Sequence, residues 1–250
     1  MVNVKIKTKG TMDQNSILTV NVPNPRNVTD KSSILALMSP PAKSKKREPA
    51  DCENHGTPPS QQTQKPLPPL LHNMQKGQKL PLSSAPLPAL DACFGWNVLD
   101  NRCDVDVSAF LLGADGKVIG DSWFVFYGQP QSPDKSTELT ADPILDREKI
   151  HIDFGRLNPE VKKIVFVLTI HEALEQKLHF GMLRDAYVRI LEPSGKELVS
   201  FMMEEYYDNV ISMMIGEIYL HNGTWKFNAV GNGVAKDLAG LCGLYGVEVV

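Results

Sequence analysis

The sequence predicts an all-β fold, a mostly antiparallel β-sandwich with a short C-terminal helix and a partly disordered N-terminal extension. Three observations predict it. From residue 91 onward apolar residues fall in short runs of strand length, and tight-turn signals separate those runs where a parallel fold would place long helices. Prolines concentrate ahead of them, with 13 of the 18 lying before residue 91.

The N-terminal extension, residues 1–39, opens with Val2, Val4 and Ile6 alternating with polar residues. Leu18, Val20 and Val22 repeat the pattern after a polar break, so the two runs can pair as a small hairpin. Two strands alone are marginal, which leaves this hairpin either docked on the main domain or loose. Residues 40–73 read as a disordered linker. Pro-Pro occurs three times there amid Ser, Gln, Thr and Lys, and such a segment buries too little apolar area to offset its ordering entropy. Lys43, Lys45, Lys46 and Arg47 form a basic cluster inside it, read as solvated charge or as a contact for an anionic surface.

The main domain, residues 74–250, is expected to hold its strands in hairpins. Residues 105–112 read as a strand, Ala114-Asp115-Gly116 as its turn and 118–127 as the returning strand, because Asp-Gly supplies the positive φ a hairpin needs. Strands follow at 150–154, 164–170, 186–191 and 197–203, with Pro193-Ser194-Gly195 turning between the last two. Residues 211–220 and 224–230 flank Asn222-Gly223, the strongest short hairpin signal in the chain. Residues 235–244 are read as the C-terminal helix.

The net charge of −3 conceals two regions of opposite character. Residues 1–90 hold 12 basic and 5 acidic side chains, whereas residues 91–250 hold 14 and 24. An acidic domain repels phosphate backbones and suits cations or basic partners, so no nucleic-acid partner is expected. No leader-like N-terminus and no apolar run of membrane-spanning length is present, which points to a cytoplasmic protein without a transmembrane segment. The four cysteines form no CxxC pair, as expected of ordinary thiols in a reducing compartment.

Chemistry concentrates at Cys103-Asp104-Val105-Asp106-Val107-Ser108. As a strand, this stretch sets Asp104, Asp106 and Ser108 on one face and Val105, Val107 and Ala109 on the other. Beyond Ser108 the polar face turns apolar at Phe110 and Leu112, which places the acids at the rim of the sandwich. Carboxylates on alternate residues have Cα atoms about 6.5 to 7 Å apart, close enough to lean toward one cation. Calcium takes six to eight oxygens, so further donors are needed; Asp121, Asp142, Asp146 and Glu148 are the candidates. All are hard donors suited to calcium or magnesium, and the spacing is not that of an EF-hand. His171-Glu172 and Cys242 make no convincing catalytic set, and no spaced His/Cys pattern suggests zinc, so the chain is not expected to be an enzyme. Met202-Met203 and Met213-Met214 read as core filler.

From residue 74 onward the chain also resembles the TerD family of tellurium-resistance and stress proteins. The resemblance rests on Lys76-Gly77-Gln78-Lys79-Leu80, Gly95-Trp96, the stretch from Asp104 to Leu112, Phe124-Val125-Phe126-Tyr127 and residues 164–171. It continues through Phe180-Gly181, Gly216-Glu217-Ile218-Tyr219, the stretch from His221 to Phe227, Ala229-Val230-Gly231 and Tyr245-Gly246-Val247. It implies a β-sandwich without enzymatic activity that binds Ca2+ through clustered acids and acts with other stress proteins, in membrane-associated complexes. By position, Asp104 and Asp106 match the family's Asp-x-Asp strand, Asp121 the acid after the first hairpin, and Asp142 the acid of a Gly-Asp-Asn element. Asp146 and Glu148 match its later acidic cluster.

Departures from the pattern are specific. The family's glycine- and aspartate-rich loop is shortened here and carries Arg147, Trp123 stands at a second acid position, and Asn97 replaces the aspartate that usually follows Gly-Trp. Fewer carboxylates imply one calcium site of reduced affinity. The alternative is an interaction scaffold that needs no metal, or a binder of a small ligand such as a cyclic nucleotide, with a degenerate calcium site.

Overall fold

The computed structural model describes residues 64–83, 86–142 and 144–249, together with the backbone of 28 and 29. The hairpin expected within residues 2–22, the basic cluster at 43–47 and the linker up to residue 63 lie outside the described residues.

Two six-stranded sheets face each other. One runs in the order β2 (Asn73–Met74), β11 (Glu197–Met202), β10 (Leu183–Leu191), β4 (Ala89–Val98), β8 (Glu148–Asp153), β7 (Thr137–Ala141). The other runs β3 (Lys79–Pro81), β13 (Thr224–Val234), β12 (Ser212–His221), β9 (Lys163–Ile170), β5 (Val105–Leu112), β6 (Phe124–Val125). Within these sheets every pair is antiparallel except β11 with β2. A separate parallel pair joins β1 (Val28–Thr29) to β14 (Glu248–Val249). Among the described residues there are two short α-helices, α1 (Ala173–Gln176) and α2 (Leu238–Tyr245). The all-β sandwich with a C-terminal helix is therefore the observed architecture.

Local chemistry accounts for the hairpins. Asn222 and Gly223 take φ values of 51° and 76°, the left-handed pair that lets β12 return directly as β13. The first hairpin is a correction to expectation. Gly113 donates to the Lys117 carbonyl at 2.8 Å and Leu112 bridges Val118, but the returning strand then stops. Val118 donates to the Tyr245 carbonyl of α2 at 2.9 Å, and a 3-10 turn at Asp121–Trp123 carries the chain off the sheet before β6. The pull of α2 on this segment is invisible in a local pattern.

Six strands were absent from the sequence-based set: β1, β2, β3 and β14, each of two or three residues, and the longer β4 and β7. β4 lies inside its sheet between β10 and β8, and from Ala92 to Val98 every residue is buried, so it shows no alternation. β7 is a five-residue edge strand of mixed polarity. The expected linker also ends earlier than residue 73: from Gln64 on, the chain is bonded onto the sandwich. Side-chain and backbone hydrogen bonds hold it, and no apolar periodicity advertises those.

Strand β5 is buried on both faces for different reasons. Val105, Val107, Ala109 and Leu111 point into the space between the sheets, where Phe94 of β4 meets Phe166 of β9 with ring centroids 5.4 Å apart. Phe110 and Leu112 point outward and are covered by α2. There Phe110 lies 4.4 Å from the Phe124 ring and 4.5 Å from Tyr245. This second cluster explains why the outward face of β5 changes from acidic to apolar partway along. Asp237 caps α2 by accepting from the Gly240 amide at 2.8 Å, and Gly246 ends it with φ of 85°.

Candidate functional site

The acidic beginning of β5 lies where that strand has a neighbour on one side only. β9 pairs with it along its length, whereas β6 reaches only Ala109 and Phe110. The Val107 amide on the uncovered side donates to Glu148 Oε2 at 2.6 Å. Glu148 opens β8 in the opposite sheet, so this bond ties the two sheets together at the rim.

Asp104, Asp106 and Glu148 form one electrostatic group. Burial, then the charge of Asp104, pushes Asp106 from 3.8 up to about 6, against a small opposing pull from His171. Burial raises Glu148 from 4.5 to about 7; the Val107 amide opposes this, and the charges of Asp106 and Asp104 add to it. The Tyr127 hydroxyl is raised by burial and by the same two aspartates, which places its ring beside them. A cavity of about 280 Å³ opens here, with Asp106, Tyr127, His171, Glu172, Glu175 and Asp237 in its lining. Its walls are thus rich in carboxylates, with His171 the one basic side chain among these six.

The other expected ligands are elsewhere. Asp121, in the 3-10 turn, stands near α2, where burial, Asp237 and Asp121 in that order raise the Cys242 thiol to about 12. Asp142 Oδ1 accepts from the amides of Ile144 at 3.0 Å and Leu145 at 3.2 Å, an Asx turn that shapes its own loop. Asp146 is 1% exposed and pairs with Arg189, whose Nη2 is 2.7 Å from Oδ2; Tyr187 donates to Oδ1 at 2.8 Å. Gly95 makes room for that tyrosine, since a Cβ there would stand 2.3 Å from its ring. The six expected ligands therefore divide into a group of three, Asp104, Asp106 and Glu148, and three separate acids. Among the described residues, no three His, Cys, Asp or Glu side chains stand close enough together to hold a metal ion as they are placed.

Sequence reasoning missed Glu148 as the acceptor for β5, the contribution of Tyr127 and His171, and the neutralisation of Asp146. One signal was available for the last: Arg189 interrupts the apolar run Ala186-Tyr187-Val188-Arg189-Ile190-Leu191, and a charge in a buried strand requires a partner. Cys93, Cys103 and Cys242 are buried thiols. No helix among the described residues is long and apolar enough to cross a membrane.

Comparison with known proteins places the chain in a family. The tellurium resistance protein TerD of Serratia marcescens is 40% identical over 151 residues, covering 58% of this chain and 79% of that protein. General stress protein 16U of Bacillus subtilis is 33% identical over 189 residues, covering 71% of this chain and 98% of that protein. A solved structure of a TerD homologue from Streptomyces coelicolor aligns with a TM-score of 0.48 at 18% identity, covering 63% of this chain and 96% of that one. The TerD domain model matches residues 70–245, and the chain belongs to the TerD family of tellurium-resistance and stress proteins.

Proposed function

We propose that this protein is a non-enzymatic, calcium-binding stress-response module of the tellurium-resistance type, working in the cytoplasm through other stress proteins, including membrane-associated ones. The observation that carries the reading is the group formed by Asp104, Asp106 and Glu148, in which burial first and neighbouring negative charge second hold Asp106 and Glu148 above the ordinary carboxylate range. A divalent cation relieves both effects at once, by supplying the opposite charge and by replacing lost water with its own coordination. The donor set fits calcium in kind, because all three are hard oxygen ligands. It is short in number, so backbone carbonyls and water must complete the six to eight oxygens calcium takes, which lowers affinity.

Asp104, Asp106 and Glu148 would hold the ion. Bound calcium would supply charge compensation and a crosslink between the start of β5 and the start of β8. The residues' own part is to keep the oxygens at the rim: β9 holds β5 in register, and the Val107 amide orients Glu148. A partner surface built on this edge would then be stiffened by the ion, as calcium modules generally are.

Thermal melts with millimolar calcium and with chelator test the reading, in the parent chain and in the Asp104→Asn, Asp106→Asn double variant. The parent should gain roughly 1–2 kcal/mol from calcium at about ten times Kd, and the variant should gain nothing. A metal-independent scaffold, or a small-ligand binder with a degenerate calcium site, is favoured by the engagement of Asp142 and Asp146 in internal hydrogen bonds. It takes over if the parent melts identically in calcium and chelator.

A further inference from the structure

Residues 64–67 lie on the sandwich as a bound peptide would. Gln64 is gripped at both ends of its side-chain amide: its Nε2 donates to the Val98 carbonyl at 2.6 Å, and its Oε1 accepts from Arg184 Nη2 at 2.7 Å. Asn97 reads the Lys65 backbone as a neighbouring strand would. Its Oδ1 accepts from the Lys65 amide and its Nδ2 donates to the Lys65 carbonyl, both at 2.9 Å. Only an amide can accept and donate in this way; an aspartate at 97 would set an acceptor against the carbonyl. Asn97 is 6% exposed and is steadied by Asp185, so the clamp is a built feature of the domain.

The clamp delivers the Lys65 side chain to the loop between β7 and β8. There the Lys65 ammonium donates to the Asp142 carbonyl at 2.9 Å and also to the Asp146 carbonyl. The loop's acidic side chains are engaged elsewhere, Asp142 in its Asx turn and Asp146 with Arg189 and Tyr187. What the loop offers at this point is a pair of backbone carbonyls aimed at one positive charge, the donor type that oxygen-seeking cations use.

We propose that the 142–146 loop is a cation seat and that Lys65, carried in by the docked segment, is its built-in occupant. A small hard cation, such as a calcium ion or a free ammonium ion, enters only when Lys65 is removed. Asn97 and Lys65 are then two parts of one device: the asparagine fixes the backbone so that the ammonium arrives in register. The assignment stands independently of calcium at Asp104 and Asp106.

The full-length chain carrying Asp104→Asn and Asp106→Asn serves as the background, so that metal at the other acids makes no contribution. In it, Lys65→Met keeps the aliphatic stem and deletes the charge. This variant should melt roughly 4 °C lower than its background, given two charge-assisted hydrogen bonds. Calcium chloride or ammonium chloride should restore most of that loss, while leaving the background itself unchanged. Unchanged melting after Lys65→Met overturns the proposal, and so does a loss that neither salt repairs. Native-state lysine methylation read by mass spectrometry needs no variant: Lys65 should react roughly tenfold more slowly than exposed Lys79. Equal rates for the two lysines would leave the seat without its occupant and reject the assignment.

Discussion

At the start of β5 two partly buried carboxylates, Asp106 and Glu148, are raised with Asp104 beside them, whereas in the 142–146 loop Asp146 is paired with a guanidinium and Asp142 with two amides. Burial first, and neighbouring carboxylates after it, push Asp106 up to about 6 and Glu148 up to about 7. Asp146, although more deeply buried, is held by the Arg189 guanidinium at 2.7 Å, and Asp142 is spent on two amides of its own loop. The two regions read alike as acidic clusters, and their chemistry is opposite. Counting acids locates negative charge; the tertiary neighbours decide whether that charge remains available for a ligand.

Removing the partner of Asp146 should have the largest effect. Arg189→Met leaves a buried carboxylate alone and should cost about 3–5 kcal/mol in urea unfolding, because the desolvation penalty stays while the compensating charge goes. Adding Asp146→Asn should recover a large part of that loss. A single variant within 1 kcal/mol of the parent, roughly the value of an exposed ion pair, would mean that the two regions are less different than the geometry indicates.

The opposite sign is expected at β5. The folded values of Asp106 and Glu148 lie above the ordinary 3.8 and 4.5, so the native state binds more protons than the unfolded chain between those limits. Their contribution to stability is therefore greatest at low pH and declines as pH rises from about 4 to about 7. In chelator, Asp106→Asn should flatten that decline and be more stable than the parent at pH 8 by about 1–2 kcal/mol. Calcium should act in the reverse direction, stabilising the parent more at pH 7.5 than at pH 5, since ligands must be deprotonated to bind. A stability profile that rises across this window in chelator would reject the raised folded-state values of Asp106 and Glu148.

Asp142→Asn should have the smallest effect. Asparagine can keep the Asx turn by accepting from the same two amides, so unfolding should change by less than about 0.5 kcal/mol. The calcium response of the parent should survive intact. If it vanishes in this variant, Asp142 belongs with Asp104 and Asp106 after all, and the division between the two regions fails.

Much of the fold was legible because it is written locally. Asn222-Gly223 and Ala114-Asp115-Gly116 name their turns, and alternation in 105–109 assigns Val105, Val107 and Ala109 to the core. β4 escaped because burial on both faces erases alternation, and the returning strand after Val118 was overestimated because α2, far along the chain, takes its hydrogen bond. At the site, the acidic character of Asp104 and Asp106 was readable, but Glu148 reaching from the other sheet to the Val107 amide was not.

The sequence by itself determined the β architecture, the family and the position of the Asp104 and Asp106 strand, since strand period, turn chemistry and motif order are properties of neighbouring residues. Only the tertiary structure decided which acids share a site. Arg189 meets Asp146 across 43 positions, Glu148 meets Val107 across 41 and Lys65 meets the Asp146 carbonyl across 81. Neutralisation depends on distance in space, and the packing of the two sheets sets that distance.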